Sequence, residues 1–157
     1  MIDAKRRTLL KGSLGASAVG VAVGAGLLTP GAVLANWPKE AFAAKDTDAA
    51  LNDLLGTDAT ESSDKVKIKA PDIAENGAVV PVTVESDVSG AKSISIMAAG
   101  NSTPLIASFE LGEDAVPFVS TRIKMAETAD VIAVVKTDDG LLSAAKPVKV
   151  TIGGCGG

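Results

Sequence analysis

Apolar residues recur along this chain with two different spacings, and the change from one to the other falls near residue 57. From residue 36 to residue 56 the spacing is that of a helix. A helix is predicted over residues 47–55, with Asp46 or Thr47 as its cap and Gly56 at its end. Its apolar face would be formed by three leucines, Leu51, Leu54 and Leu55.

A shorter helical piece is predicted before it, because Pro38 is tolerated in the first turn of a helix. The neighbouring Trp37 and Phe42 are apolar anchors that we expect to pack on the domain. Ligand binding by these two rings is the alternative. Residues 36–56 together form a predicted N-terminal helical segment.

Beyond a polar linker predicted over residues 57–64, apolar and polar residues alternate, which is the period of a half-buried strand. Val66 and Ile68 would face the core there, with the neighbouring lysines in water. Because proline cannot donate a ladder hydrogen bond, Pro81 indicates an edge strand or a bulge and Pro147 an interruption of the last strand. The further strands are predicted over residues 79–84, 93–97, 105–110, 119–124, 131–136 and 141–152.

Turn signals separate the strands, among them Asn76-Gly77 and Asp138-Asp139-Gly140. About seven short strands with a turn roughly every 8–12 residues are typical of an antiparallel β-sandwich. The predicted fold is therefore mainly β, an Ig-like antiparallel β-sandwich over residues 65–152 that lacks the disulfide of antibody domains. The carboxylate pairs Glu113-Asp114 and Asp138-Asp139 lie in predicted turns, where a turn role is favoured over metal binding.

The first 35 residues have the three-part layout of an export signal. Arg6 and Arg7 lie in a basic region, an apolar, glycine-rich run follows over residues 14–28, and small residues precede Ala35. The paired arginines, followed by leucines and a lysine, resemble a twin-arginine (Tat) signal, with Sec export as the alternative. Cleavage is expected after Ala35, with Ala43 as a second candidate. The predicted localisation is the periplasm, with no membrane association after cleavage.

Composition narrows the function classes further. The chain contains no histidine, which excludes a Ser-His-Asp triad, a Cys-His dyad and a His-based zinc site. No cofactor motif or phosphate-binding glycine loop is present, so we predict neither a metal nor a cofactor. The leader holds four of the 15 basic and one of the 19 acidic residues, which leaves the mature chain with 11 and 18 and a net charge of −7. This balance argues against nucleic-acid binding and suits partners with basic patches.

The single cysteine, Cys155, lies in the sequence Gly153-Gly154-Cys155-Gly156-Gly157. Glycine has no Cβ, so four glycines make a thin, flexible tether around one thiol. Since a predicted strand runs directly into Gly153, residues 153–157 are predicted to be an arm that carries the thiol away from a rigid sheet. With only glycines beside it, the thiol is expected to be unactivated, which suits a carrier better than an enzyme.

These features together resemble the SoxY family, the carrier subunits of the SoxYZ complex in periplasmic thiosulfate oxidation. The resemblance covers nearly all of the chain: the leader, the segment with Trp37 and Phe42, the strand over residues 93–97, the stretch over 122–125 and, most specifically, Gly-Gly-Cys-Gly-Gly. It implies that Cys155 holds the sulfur substrate covalently while other enzymes act on it, and that the protein has no turnover of its own.

The resemblance also implies partners. SoxZ would form a heterodimer with the chain, the cytochrome SoxAX would attach thiosulfate oxidatively, the SoxB hydrolase would release sulfate, and a SoxCD dehydrogenase would oxidise the remaining sulfur in some organisms. Two other classes compete with a carrier of this kind: a structural or interaction module cross-linked to a partner through Cys155, and a ubiquitin-like protein with a thiocarboxylate at Gly157. The role of Arg122, the only arginine of the mature chain, stays open between pairing with a carboxylate and contact with a partner.

Overall fold

The structure is a computed structural model that describes residues 37–153. The predicted leader, with Arg6 and Arg7, and residues 154–157, with Cys155, lie outside the described residues. The chain divides into two compact units, Met1–Trp37 and Pro38–Gly157, and the fold is that of the second unit.

Two short helices open the described part of this unit, α1 over Lys39–Ala43 and α2 over Thr47–Leu55. The Asp46 carboxylate accepts a hydrogen bond from the Ala49 amide at 2.8 Å and thereby caps α2. Gly56 ends α2 in the left-handed conformation, with a φ of 83°, which glycine adopts without strain. The helix predicted over residues 47–55 is confirmed, together with its cap and its end.

Seven strands lie within two residues of the predicted bounds, and two short strands, β1 and β3, are additional. The polar residues 57–64 are therefore not only a linker, because β1 lies within them. The strands of the described residues are β1 Thr60–Ser62, β2 Val66–Lys69, β3 Ile73–Ala74, β4 Val80–Ser86, β5 Ser93–Ala98, β6 Leu105–Glu110, β7 Phe118–Ile123, β8 Ala129–Lys136 and β9 Leu141–Val150.

These strands form two sheets. The larger has the order β1-β9-β8-β5-β6, with β3 also paired to β9, and the smaller has the order β2-β4-β7. Only β1 and β3 run parallel to their neighbour. Apolar side chains from both sheets, among them Val82, Ile94, Ile96 and Ile123, form one buried core. This arrangement confirms the predicted Ig-like β-sandwich preceded by short helices.

The helices cover the outer face of the larger sheet. Leu51 of α2 and Met97 of β5 belong to a second apolar cluster, against which Phe42 packs as predicted. Every residue of β5 is consequently buried, because one face lies in the core of the sandwich and the other lies under the helices. Trp37 keeps 63% of its surface exposed.

The predictions that Pro81 marks an edge strand or a bulge and that Pro147 interrupts the last strand are wrong. β4, which contains Pro81, is the central strand of its sheet, and β9 continues through Pro147. On β4 the pairing with β2 stops at Thr83, and on β9 the partner β1 stops at Ser143 while β3 begins at Lys149. Each proline thus lies at a local gap beside its strand, where a missing N–H need not remove a ladder hydrogen bond.

Candidate functional site at the root of the arm

The arm predicted over residues 153–157 leaves the domain at the end of β9. The strand ends at Val150, two residues earlier than predicted, and three exposed residues follow it. We call these residues, Thr151, Ile152 and Gly153, the root of the arm. The other predicted tether and attachment residues, Gly154, Cys155, Gly156 and Gly157, lie outside the described residues.

One side of the root is held by the segment that contains β3. The Thr151 amide donates to the Ala74 carbonyl and the Thr151 hydroxyl donates to the Glu75 carbonyl, both at 3.0 Å. The Gly77 amide donates to the Ile152 carbonyl at 2.8 Å. Three hydrogen bonds therefore hold two consecutive residues that lie beyond the end of the strand.

The other side of the exit is held by residues 124–128, the connection between β7 and β8. The Thr128 hydroxyl donates to the Val150 carbonyl at 3.3 Å and accepts from the Val150 amide at 2.9 Å. The Met125 amide donates to the Gly77 carbonyl at 2.7 Å. The chain thus leaves the domain between two segments that are hydrogen-bonded to each other.

Asn101, in the turn between β5 and β6, holds the β7–β8 connection in place. Its side-chain nitrogen donates to the Lys124 carbonyl at 2.9 Å, and its side-chain oxygen accepts from the Ala126 amide at 2.8 Å. The Ala126 carbonyl in turn lies against Gly153, so closely that a Cβ on Gly153 would overlap the oxygen. Glycine is therefore required at the first position of the arm by close backbone approach, in addition to its flexibility.

Three large apolar side chains are exposed beside the root. Ile73 of β3, Val79 immediately before β4 and Ile152 are 58%, 55% and 68% exposed. All three belong to the two segments joined by the bonds of Thr151 and Gly77. We call these three residues the apolar collar, because each belongs to the root or lies within two positions of a residue hydrogen-bonded to it.

An ion pair fixes the β3 segment to β9 beside the collar. The Lys146 ammonium lies 2.7 Å from the Asp72 carboxylate. The hydrogen bond from Lys146, together with its positive charge, holds the pKa of Asp72 below the ordinary value. The Lys149 amide also donates to the Asp72 carbonyl at 3.0 Å. Asp72 therefore connects the segment to the strand through both its side chain and its backbone.

The remaining candidate residues are not among those hydrogen-bonded to the root. Arg122 is exposed on β7, opposite Pro81 of β4. The pairs Glu113-Asp114 and Asp138-Asp139 lie in turns, as predicted. Among residues 37–153 no group of three or more His, Cys, Asp or Glu side chains is placed to hold a metal ion. No helix in that same part of the chain is long and apolar enough to cross a membrane.

The residues that hold the root were not predicted from the sequence. Asn101 and Thr128 act on backbone atoms of distant segments, so no local motif identifies them. Gly77 carried a partial signal, since Asn76-Gly77 predicts a turn, and the Val79 amide does donate to the Asn76 carbonyl at 3.3 Å. The bond from Gly77 to the root depends on the folded sheet and has no counterpart in the sequence.

The number of residues between Gly153 and Cys155 limits how far the thiol can lie from the domain. Cys155 follows Gly153 by two residues, which span roughly 7 Å when fully extended. Because the root is bonded on one side and packed on the other, this span is counted from a fixed point of the domain.

Comparison with known proteins gives one strong result. A family model described as sulfur oxidation protein SoxY matches residues 51–155, a range that includes the root and Cys155. The solved structure of the sulfur carrier protein SoxY from Chlorobium limicola f thiosulfatophilum is similar, with 43% identity, coverage of 67% of this chain and 96% of that chain, and a TM-score of 0.62. An engineered protein matches at 16% identity over 55% of this chain and 20% of its own, with a TM-score of 0.39. No curated protein matches the chain.

Proposed function

The chain belongs to the SoxY family of sulfur oxidation proteins, and on this premise we propose that it is a periplasmic carrier that holds thiosulfate-derived intermediates on the thiol of Cys155. The observation that carries the proposal is the position of this thiol. It is the only cysteine of the chain, it lies within the family match, and it follows by two residues a root that is fixed to the rigid sandwich.

Two balanced steps describe how the carrier is loaded and unloaded. In the first, the Cys155 thiolate and the sulfane sulfur of thiosulfate form an S–S bond and give two electrons to an oxidant, for which we propose the cytochrome SoxAX. The product is the adduct Cys-S-S-SO3⁻. In the second, water cleaves the bond to the sulfonate, and the adduct gives hydrogen sulfate and the persulfide Cys-S-SH. We propose SoxB as the hydrolase and SoxCD, where present, as the dehydrogenase of the persulfide.

The chain acts in these steps as a covalent substrate of its partners. It contains no histidine, and the groups that the structure places against the root are backbone amides and carbonyls and the Thr128 hydroxyl. Oxidant, metal-bound water and general base are therefore assigned to the partner enzymes. The heterodimer with SoxZ and export through the Tat signal at Arg6 and Arg7 belong to the same proposal.

Intact mass tests the carrier role directly. The protein is purified without reductant from the periplasm of cells supplied with thiosulfate. We expect a mature chain that starts near Asn36 and carries sulfur or thiosulfate adducts on a fraction of the molecules. The adducts should disappear on treatment with reductant and should be missing from Cys155→Ser.

Other outcomes point to the competing classes. A clean thiol, or only a stable disulfide to another protein, would replace the carrier by a structural module cross-linked through Cys155. A thiocarboxylate at Gly157 would replace it by a ubiquitin-like sulfur carrier.

A further inference from the structure

We propose that Asn76 is a site of deamidation and that the root of the arm controls the rate of this reaction. The chain contains four asparagines, and only Asn76 is followed by a glycine. Because glycine has no Cβ, the amide nitrogen of Gly77 can approach the Asn76 side chain without steric hindrance. This inference goes beyond the carrier function, since it concerns a reaction within the chain and needs neither a thiol nor a partner enzyme.

The reaction is an attack of the chain on its own side chain. The Gly77 amide nitrogen loses its proton and forms a bond to Cγ of Asn76, the bond from Cγ to Nδ2 breaks, and ammonia leaves with that proton. Water then opens the cyclic imide at one of its two carbonyl carbons, which gives either aspartate or isoaspartate. One water is consumed and one ammonia is released. Nothing is oxidised or reduced, so the reaction requires no cofactor.

The Asn76 side chain is held in a way that favours the attack. The Ala78 amide donates a hydrogen bond to Oδ1 of Asn76 at 2.9 Å. Negative charge develops on this oxygen when the amide nitrogen adds to Cγ, so a donor at this position stabilises the intermediate. Asn76 is also exposed, which gives water access for the second step.

The nucleophile, in contrast, is restrained by the root. The Gly77 amide donates to the Ile152 carbonyl at 2.8 Å, and the Gly77 carbonyl accepts from the Met125 amide at 2.7 Å. Gly77 is buried, so its N–H can lose a proton to solvent only after the bond to Ile152 has opened. Deamidation therefore requires local opening of the root, and the converted fraction of Asn76 records how long the root has been open.

Two other asparagines of the described residues serve as internal controls. In α2, the Asn52 side-chain nitrogen donates to a backbone carbonyl at 3.1 Å. The side chain of Asn101 is bonded through both its oxygen and its nitrogen. Each is followed by a residue with a side chain, Asp53 or Ser102, which hinders the approach of the amide. Cleavage after lysine and arginine places Asn52, Asn76 and Asn101 in three separate peptides, residues 46–65, 70–92 and 93–122.

The test measures the conversion of Asn76 over time in the reduced mature chain at neutral pH. Samples are digested with trypsin, and the aspartate and isoaspartate forms of the peptide 70–92 are separated by chromatography and identified by mass. A sample unfolded in guanidinium gives the rate without restraint. We expect Asn76 to react about tenfold or more slowly in the folded protein, because a buried hydrogen bond must open first. Asn52 and Asn101 should remain unconverted in the folded protein over the same period.

Gly153→Ala tests the control by the root. The added Cβ overlaps the Ala126 oxygen, so the root moves and its bond to Gly77 weakens. We expect deamidation of Asn76 in the folded variant to be about fivefold faster than in the wild type, the factor for one hydrogen bond of ordinary net strength. Gly112→Ala adds a Cβ that meets nothing within 4 Å and should keep the wild-type rate.

A second variant of the root covers the case in which Gly153→Ala does not fold. Thr151→Val removes the hydrogen bond from the Thr151 hydroxyl to the Glu75 carbonyl without changing the size of the side chain, and it should also accelerate the reaction.

Three outcomes overturn the proposal. Equal rates in the folded and unfolded wild type would show that the root does not restrain the amide. Equal rates in the root variants and Gly112→Ala would remove the root from control of the reaction. A product that forms only in the unfolded sample, whatever the variant, would show that global unfolding is required. None of these rates depends on a sulfur adduct, so a failure of the proposed carrier function would leave this result unaffected.

Discussion

At the scale of single residues, Gly153 has a packing role that the tether prediction did not include. From the sequence, Gly153 and the other three glycines were predicted to be equal parts of a flexible tether. In the folded protein Gly153 is packed against the Ala126 carbonyl, and the residue before it is bonded to Gly77. The predicted arm would therefore begin at a fixed point, and its reach would be counted from Gly153.

Gly153→Ala is expected to release the root without unfolding the domain. The added Cβ overlaps the Ala126 oxygen, so the root must move, and the bond from the Gly77 amide to the Ile152 carbonyl weakens. A nitroxide on Cys155, the only cysteine, should show a narrower EPR spectrum, and the Gly77 amide should exchange faster with solvent.

Gly112→Ala is the matched control for this change. A Cβ at Gly112 meets nothing within 4 Å, so the same substitution adds a methyl group without a collision. An EPR spectrum that Gly153→Ala leaves unchanged would show that the close approach to Ala126 does not fix the arm.

The Asp72–Lys146 pair predicts a response of the β3 segment to acid. The bond lowers the pKa of Asp72 from the ordinary 3.8, so its stabilisation is fully present above pH 3.8 and is lost as the pH falls through the lower folded-state value. NMR titration should give a pKa below 3.8 in the wild type and close to 3.8 in Lys146→Met. Because the Asp72 side chain is 88% exposed, added salt should reduce the difference. Equal values in both proteins would exclude the pair in solution.

At the scale of elements, the sequence was sufficient to predict a helix or strand whose ends are set by residues adjacent to it in the chain. Asp46 and Gly56 fixed both ends of α2, and alternation located the seven longer strands. The sequence was not sufficient where pairing with a neighbouring strand determines whether a segment forms a strand. β1 and β3 have three and two residues, too few for alternation to show, and they form because β9 offers an unpaired edge. Pro81 and Pro147 are tolerated because of gaps in neighbouring strands, which depend on sheet order.

Asp46→Ala tests the cap of α2. The Asp46 carboxylate accepts from the Ala49 amide at 2.8 Å, and its loss leaves that amide without this partner. We expect the free energy of unfolding, measured in urea, to fall by about 1 kcal/mol. Asp48→Ala removes an equal charge from the first turn of the same helix without removing the cap, and only a few tenths of a kcal/mol should follow from the helix dipole. Equal losses in both variants would indicate a purely electrostatic role for Asp46.

At the scale of the whole molecule, the site is assembled from both sheets. The root continues β9 of the larger sheet, whereas residues 124–128 follow β7 of the smaller sheet. The lone thiol among glycines and the resemblance to the SoxY family could be recognised in the sequence. The root could not be predicted, because it depends on how three distant segments meet after the sandwich has formed.

Asn101 is the residue that joins the two sheets at this point, and its removal should therefore affect the whole domain. It lies in the β5–β6 turn of the larger sheet and binds the Lys124 carbonyl and the Ala126 amide beyond the smaller sheet. Asn101→Ala leaves the partly buried Ala126 amide and the exposed Lys124 carbonyl without this partner, so we expect the free energy of unfolding in urea to fall by about 1–3 kcal/mol. Ser102→Ala, at the exposed neighbouring position, should change it by less than about 0.5 kcal/mol. Because the Ala126 carbonyl packs on Gly153, Asn101→Ala should also increase the mobility of a nitroxide label on Cys155, measured by EPR. A loss of stability with unchanged label mobility would mean that the sheets and the predicted arm are not coupled through Asn101.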